Sequence, residues 1–401
     1  MAEGNGTSNS RGLRGAFESF VHSEAGGCIL LLTATAVALV WANSPWAPSY
    51  DHMLTTKVAV SWGASTFALS LKGWINDGLM AVFFFVVGLE IKRELVVGEL
   101  SSPQKAALPI IAAAGGMVVP AAIYMAFNRG GAGSSGWGVP MATDIAFALG
   151  ILAVFGRRVP LGLKVFLAAL AIADDLGAVA VIAFCYSARL NWAALLAAAL
   201  LLALLAVVGR AGVRWRSVYV ALALGVWLAV LASGVHATVA GILFALLVPV
   251  RARSGTRPLG LSLEENLHPY VAFVILPLFA LFNAGVALGA GFTSELSNPV
   301  AIGVFVGLVA GKQIGVLGAS WLAIRWGIAS MPDGVTWRPF YGAACLAGIG
   351  FTMSLFITEL AFTDTGLLTS AKVAIFGASL ASGIAGSLVF LTQTRRAVPA
   401  A

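Results

Sequence analysis

Long apolar runs separated by short polar links repeat from residue 27 almost to the last residues of the chain. They fall at roughly 27–43, 75–89, 106–127, 138–156, 161–186, 192–209, 216–234, 236–250, 268–290, 299–324, 339–358 and 369–393. A helix needs roughly 20 apolar residues to cross a hydrocarbon core about 30 Å thick. The pattern therefore predicts an all-α membrane protein of about 12 transmembrane helices. Residues 54–72 keep a different rhythm: Val58, Val60 and Trp62, then Phe67, Leu69 and Leu71, alternate with small or polar neighbours on either side of Gly63. That two-residue period predicts a small β-hairpin lying on the membrane surface.

Two of the apolar segments are poor helices. Residues 138–156 carry Pro140, Thr143, Asp144 and Gly150, and residues 339–358 carry Gly342, Gly348, Gly350, Thr352 and Ser354. Each is the middle member of a three-span group, 106–186 and 299–393. A matched pair of interrupted helices points to inverted-topology repeats with a binding site between them. Non-helical backbone at membrane depth is tolerated only where protein or water satisfies it, so the two discontinuous segments are expected to cross at the site.

Composition strengthens this picture. Hydrophobic residues make up 59% of the 401 positions and charged residues 10%, which excludes an ordinary soluble domain. The net charge of +7 is no nucleic-acid signature, because Lys and Arg sit in short clusters between apolar runs. Eighteen of them collect on one side of the predicted topology, five (Lys57, Lys72, Arg129, Arg189 and Lys372) on the other, and Lys312 falls inside a span. The asymmetry puts both termini in the cytoplasm and the hairpin outside. The expected organisation is a cytoplasmic tail (1–24), one membrane domain (25–394) whose first apolar run is a retained span, and a second cytoplasmic tail (395–401). Cys28, Cys185 and Cys345 offer neither a disulfide framework nor metal-ligand spacing and read as buried free thiols. No P-loop or dinucleotide motif occurs in a suitable context, so no cofactor is expected.

An ionised group near the bilayer centre is costly and calls for a use. The deep charges read from sequence are Asp77, Asp144, Asp174, Asp175 and Lys312. Asp144 either pairs with Lys312 to hold helices together or neutralises helix ends in the broken segment. The Asp174–Asp175 doublet resists a purely structural role. Neighbours on a helix point about 100° apart, so one carboxylate can face a cavity while the other reaches a different helix. One lysine cannot balance three deep aspartates, and the deficit requires protons or an added cation. A coupled pair of this kind titrates as a unit, and its oxygens suit a hard cation. Competition between cation and protons for the same oxygens suffices for exchange when the site opens alternately to the two sides. Thr143 is a candidate neutral ligand, or else bonds its own helix. Two other classes compete: a solute symporter of similar architecture, and an intramembrane aspartyl protease, whose carboxyls normally come from two facing helices. His236 is either a pH sensor or a hydrogen-bonded residue of a tight helix-helix turn.

The runs Ala142-Thr143-Asp144-Ile145-Ala146-Phe147-Ala148-Leu149-Gly150, Ala173-Asp174-Asp175-Leu176-Gly177-Ala178, Ser233-Gly234-Val235-His236-Ala237-Thr238, Gly311-Lys312 and Gly350-Phe351-Thr352-Met353-Ser354 resemble the NhaA family of bacterial sodium/proton antiporters. Further blocks at Ile75-Asn76-Asp77-Gly78 and Gly88-Leu89-Glu90-Ile91-Lys92-Arg93-Glu94 extend the resemblance over about residues 20–393. It implies electrogenic, pH-dependent exchange of two protons for one Na⁺ or Li⁺ in the bacterial inner membrane, by a protein that is no enzyme and often dimerises through its hairpin. It also implies roles. Asp175 would be the main cation carboxylate, with Asp174 as a partner alternating between protonation and pairing with Lys312, while Asp144 compensates charge beside Thr143. Glu90, Arg93, Glu94, Glu264 and His268 match positions associated with pH activation. Gln313 departs from the usual proline after the lysine, and Leu261 and Glu265 replace basic or histidine residues.

Overall fold

The computed structural model describes residues 26–392 except Ala64, 188–189, Arg214, 251–257 and 288–294. The two expected tails lie outside the described residues. Helix α1 (Gly26–Ala42) turns through 114° into the short α2 (Ala47–Thr55). Strands β1 (Lys57–Trp62) and β2 (Ser65–Ser70) then pair antiparallel, with Val58 opposite Leu69 and Val60 opposite Phe67. Gly63 turns the chain at φ +62°, a conformation that favours glycine. Leu71, the last position of the alternating pattern, opens a helix instead: the Ser70 hydroxyl accepts the Gly73 N–H and caps α3 (Leu71–Val96).

The remaining helices are α4 (Pro103–Phe127), α5 (Ile145–Phe155), α6 (Leu161–Cys185), α7 (Trp192–Arg210), α8 (Arg216–Ser233), α9 (Val239–Leu247), α10 (Leu259–Asn283), α11 (Pro299–Arg325), α12 (Trp337–Leu346), α13 (Phe351–Ala361) and α14 (Thr365–Leu391). Their starts follow local chemistry. Asn191 accepts two backbone N–H groups of α7, Asn298 caps α11 ahead of Pro299, and Asp364 caps α14 through Leu367 N–H. A 3₁₀ stretch, Ala132–Met141, leads into α5. Among the described residues nine helices are long and apolar enough to cross a membrane, or up to eleven if each bent pair forms one span. The segment 236–250 is shorter than a full span. Gly234 ends α8 at φ +84°, and the turn through His236 leaves α9 only nine residues.

Helices α4 to α6 and α11 to α14 form the two three-span groups. Their leading members, α4 and α11, press together at Gly115 and Gly315 so closely that a Cβ on either would lie 2.2–2.3 Å from the other's carbonyl oxygen. Small residues at such crossings replace the hydrophobic drive that lipid removes. Most buried side chains form one cluster around the broken segments. A second, separate cluster joins Leu89 of α3 to Leu205 of α7, Val226 and Val230 of α8, and Phe244 and Ala245 of α9. The described residues thus form two packing clusters, to both of which α3 and α9 contribute.

Cys28 and Cys345 are buried free thiols, whereas Cys185, expected to be buried, is exposed at the end of α6.

Candidate functional site

The helices stop where the sequence places Thr143 and Gly348. Residues Ala142–Asp144 are non-helical between the 3₁₀ stretch and α5, and residues 347–350 interrupt α12 and α13, which bend by 42°. The two breaks bond to each other. Asp144 N–H donates to Ile349 O at 2.6 Å, and the Ser354 hydroxyl donates to Val139 O at 2.8 Å. Irregular backbone at this depth is therefore satisfied by protein.

Asp144 is the shared acceptor at the crossing. Its Oδ1 accepts Phe147 N–H at 3.1 Å, capping α5, while Oδ2 accepts Thr352 N–H at 3.0 Å and the Thr352 hydroxyl at 2.5 Å, at the start of α13. Two helix N-termini, each equivalent to roughly half a positive charge, converge on one carboxylate. Lys312 lies elsewhere. Its ammonium pairs with Asp174 Oδ2, and both side chains are fully buried. The sequence alternative of an Asp144–Lys312 pair thus gives way to the helix-end role, because Lys312 emerges from α11 toward α6. A π-helical turn, Gly307–Gly311, immediately precedes Lys312, packed against Pro120 and Pro140.

Thr143 bridges the breaks to the doublet. Its hydroxyl lies 2.7 Å from Asp174 Oδ2 and 2.8 Å from Ala347 O. With one proton to give, it donates to only one of them at a time. Asp175, on the same helix, is 2% exposed and makes no hydrogen bond among the described residues. Asp175 Oδ1 and Asp174 Oδ1 are both buried without a partner. Such orphaned acceptors are costly unless something occupies them. With Asp144 balanced by helix ends and Asp174 by Lys312, Asp175 is the carboxylate left without compensation.

A narrow cavity of about 50 Å³ approaches this crossing from the face opposite the hairpin. It is lined by Glu90, His268, Cys28, Phe83, Ile145 and Ala146, the last two directly following Asp144. Beside its mouth Arg93 gathers carboxylates from two helices: Glu264 at 2.5 Å, Glu94 at 3.1 Å and Glu90 at 3.9 Å. The five residues matched to pH activation therefore lie together around one entrance.

His236 differs from the hydrogen-bonded reading in one respect. It occupies the turn before α9, but its buried Nδ1 has no hydrogen-bond partner and stands 3.8 Å from Asp77 Oδ1, with the ring edge-on to Phe356. Asp77 sits in a π-helical turn of α3. The list of deep charges also requires correction. Glu359 lies just past the predicted end of segment 339–358, and Lys372, counted with the outer side, lies near the start of segment 369–393. Both side chains are about nine-tenths covered, because α13 continues to Ala361 and α14 starts at Thr365. The apolar Leu355, Phe356, Ile357, Leu360 and Ala361 on either side of Glu359 are the signal that carries the helix that far.

Crossed broken helices around buried carboxylates, beside a cavity lined in part by the residues that follow the first break, define a multi-pass membrane transporter. A family model described as Na⁺/H⁺ antiporter 1 matches residues 18–390. The chain belongs to that family. It is 47% identical to the Na⁺/H⁺ antiporter NhaA of Oleidesulfovibrio alaskensis, over 96% of this chain and 95% of the relative. The corresponding protein of Rhodospirillum rubrum is 49% identical over 95% and 98%, and that of Pseudomonas putida 50% identical over 88% and 90%.

Proposed function

We propose that this protein exchanges Na⁺, or Li⁺, for protons across the bacterial inner membrane, with both termini in the cytoplasm and the hairpin outside. The observation that carries the reading is the orphaned, charge-uncompensated carboxylate of Asp175 beside Asp174, buried next to the crossed breaks. One monovalent ion is what that imbalance accepts. A proton on Asp175 neutralises it, and so does a sodium ion held by Asp175, Asp174 and the Thr143 oxygen. Occupancy by one therefore excludes the other.

The second proton belongs to the Asp174–Lys312 pair. Sodium arriving at Asp174 competes with the ammonium for the same oxygen, and Lys312 then sheds a proton as the pair opens. Two protons for one cation move one net charge per cycle. The membrane potential then contributes roughly 2.3 kcal/mol per 100 mV, which drives Na⁺ outward even without a pH gradient. Asp144 holds the two broken helices at the site and compensates their ends rather than ligating the ion. Glu90, Arg93, Glu94, Glu264 and His268 form the pH-responsive entrance, since the charge arrayed on Arg93 sets the field at the cavity mouth. A homodimer through the 57–70 hairpin, as the family resemblance implies, places the two cavities in parallel in the lipid bilayer.

Reconstituted protein tests this directly. Adding Na⁺ or Li⁺ at alkaline pH should collapse a preset pH gradient in proteoliposomes, and Asp175→Asn should lose both this response and equilibrium ²²Na⁺ binding. Retention of parental sodium affinity by Asp175→Asn removes that residue from the site. Indifference of the exchange rate to a valinomycin-imposed potential would make the exchange electroneutral.

A further inference from the structure

Besides the ion site and the carboxylates gathered on Arg93, the described residues hold a further cluster of opposite charges. Glu359 on α13 lies 2.7 Å from Lys72 at the start of α3 and 2.7 Å from Lys372 on α14. The Glu359 and Lys372 side chains are about nine-tenths buried, and Lys72 is 27% exposed. Lys72 follows β2 by two residues, so the cluster marks the hairpin face.

Its membership is the informative feature. Glu359 and Lys372 stand on the two helices that follow the second break, whereas Lys72 stands on α3, which, like α9, gives side chains to both packing clusters. Deeper along the α3–α13 contact, within the larger cluster, Phe356 of α13 meets Phe84 of α3 and Phe279 of α10 at centroid distances of 5.4 and 6.1 Å. The α3–α13 contact is thus closed on the hairpin side by an aromatic layer and a charge cluster, while the cavity lined by Glu90 and His268 lies toward the other end of α3. Carrying an ion to the hairpin face requires parting α13 from α3. The Lys72–Glu359 contact spans that line, whereas Lys372–Glu359 joins the consecutive helices α13 and α14 and keeps Glu359 paired when Lys72 leaves. Two lysines on one carboxylate make the contact separable without leaving a lone buried charge, which would cost several kcal/mol.

We propose that Lys72 and Glu359 are positioning residues of the transport cycle, a latch on the hairpin face that is closed when the site faces the cavity and parted when it faces the hairpin. This rests on the exchange reading above, because it needs a site reached alternately from two sides.

Met80, fully buried and one turn from Phe84 on the same face of α3, is the reporter position. Met80→Cys is placed in a chain whose three native cysteines are alanine, and labelled with a membrane-impermeant maleimide in right-side-out and everted vesicles. Thr66→Cys on the exposed hairpin identifies which preparation presents the hairpin face. Lys72→Gln should raise Met80→Cys labelling from that face about five-fold, the population shift expected when one partly exposed ion pair is lost. Lys72→Arg, which keeps the pair, should label like the parent. Equal labelling of parent, Lys72→Gln and Lys72→Arg overturns the latch. Should Lys72→Gln misfold, Glu359→Gln in the same background is read against the same two outcomes. A parent that shows no sodium-driven proton movement sinks the exchange reading instead, and labelling does not depend on that result.

Discussion

Replacing Asp144 by Asn isolates what the crossing owes to one negative charge. The side chains are nearly the same size, so packing is kept. The amide oxygen can still accept Phe147 N–H, but the amide nitrogen then faces Thr352 N–H, donor against donor, while the Thr352 hydroxyl can turn to accept from it. One charge-assisted bond, worth about 1.5–3 kcal/mol, is lost, and the hydroxyl bond falls to a neutral one of about 0.5–1.5 kcal/mol. The attraction to two helix ends, about 0.3–1 kcal/mol each, goes with them. Partial relaxation of the buried pocket offsets part of that sum, leaving an expected loss on the order of 3 kcal/mol. Thr352→Val removes only the hydroxyl bond and keeps the N–H, so its loss should be on the order of 1–2 kcal/mol. Thermal unfolding of detergent-purified protein, followed by tryptophan fluorescence, should rank parent above Thr352→Val above Asp144→Asn. If Asp144→Asn melts with the parent, or above Thr352→Val, the carboxylate does not hold the two broken helices together.

Three further outcomes follow from the same geometry. Gly315→Ala puts a methyl about 2.2 Å from the Gly115 carbonyl oxygen, and backbone cannot yield as a side chain does; overpacking of this kind should cost about 1–3 kcal/mol, read as a lower melting temperature, whereas Gly318→Ala, which meets nothing within 4 Å, should melt like the parent. Protons compete with sodium for the Asp174–Asp175 oxygens, so raising the pH should tighten sodium binding, with log Kd falling by up to about two units per pH unit where both protons are held; a Kd independent of pH would refute competition. Lys312→Ala leaves Asp174 buried without its ion-pair partner, a loss typically of about 3–5 kcal/mol, and should lower the melting temperature more than Lys312→Arg does; equal melting would mean that Asp174 is balanced by another group.

Much of this architecture is written in local patterns. Alternation on either side of Gly63 gives the hairpin, and Pro140, Gly348 and Gly350 mark breaks that the backbone then makes within a few residues. Asp174, Asp175 and Lys312 stand out because charge is so rare in an apolar run. What stays hidden is pairing at a distance. Spacing cannot say whether Lys312 reaches Asp144 or Asp174, since that depends on how α11 leans across α4 at Gly115 and Gly315. Glu359 and Lys372 were passed over for a related reason. Each lies close to a helix end, where a charge normally snorkels into water, and only the third partner, almost three hundred residues away at Lys72, turns them inward. His236 fails differently, because a turn position suggests a bonded ring and nothing local reveals that its neighbours are aromatic.

One carboxylate serving the start of two helices has a mechanical corollary. Because Asp144 fastens the starts of α5 and α13, two helices about two hundred residues apart in the chain, the middle of the molecule works as a rivet. A motion that keeps those bonds must carry the two helix starts together, so its hinge lines run around the riveted block.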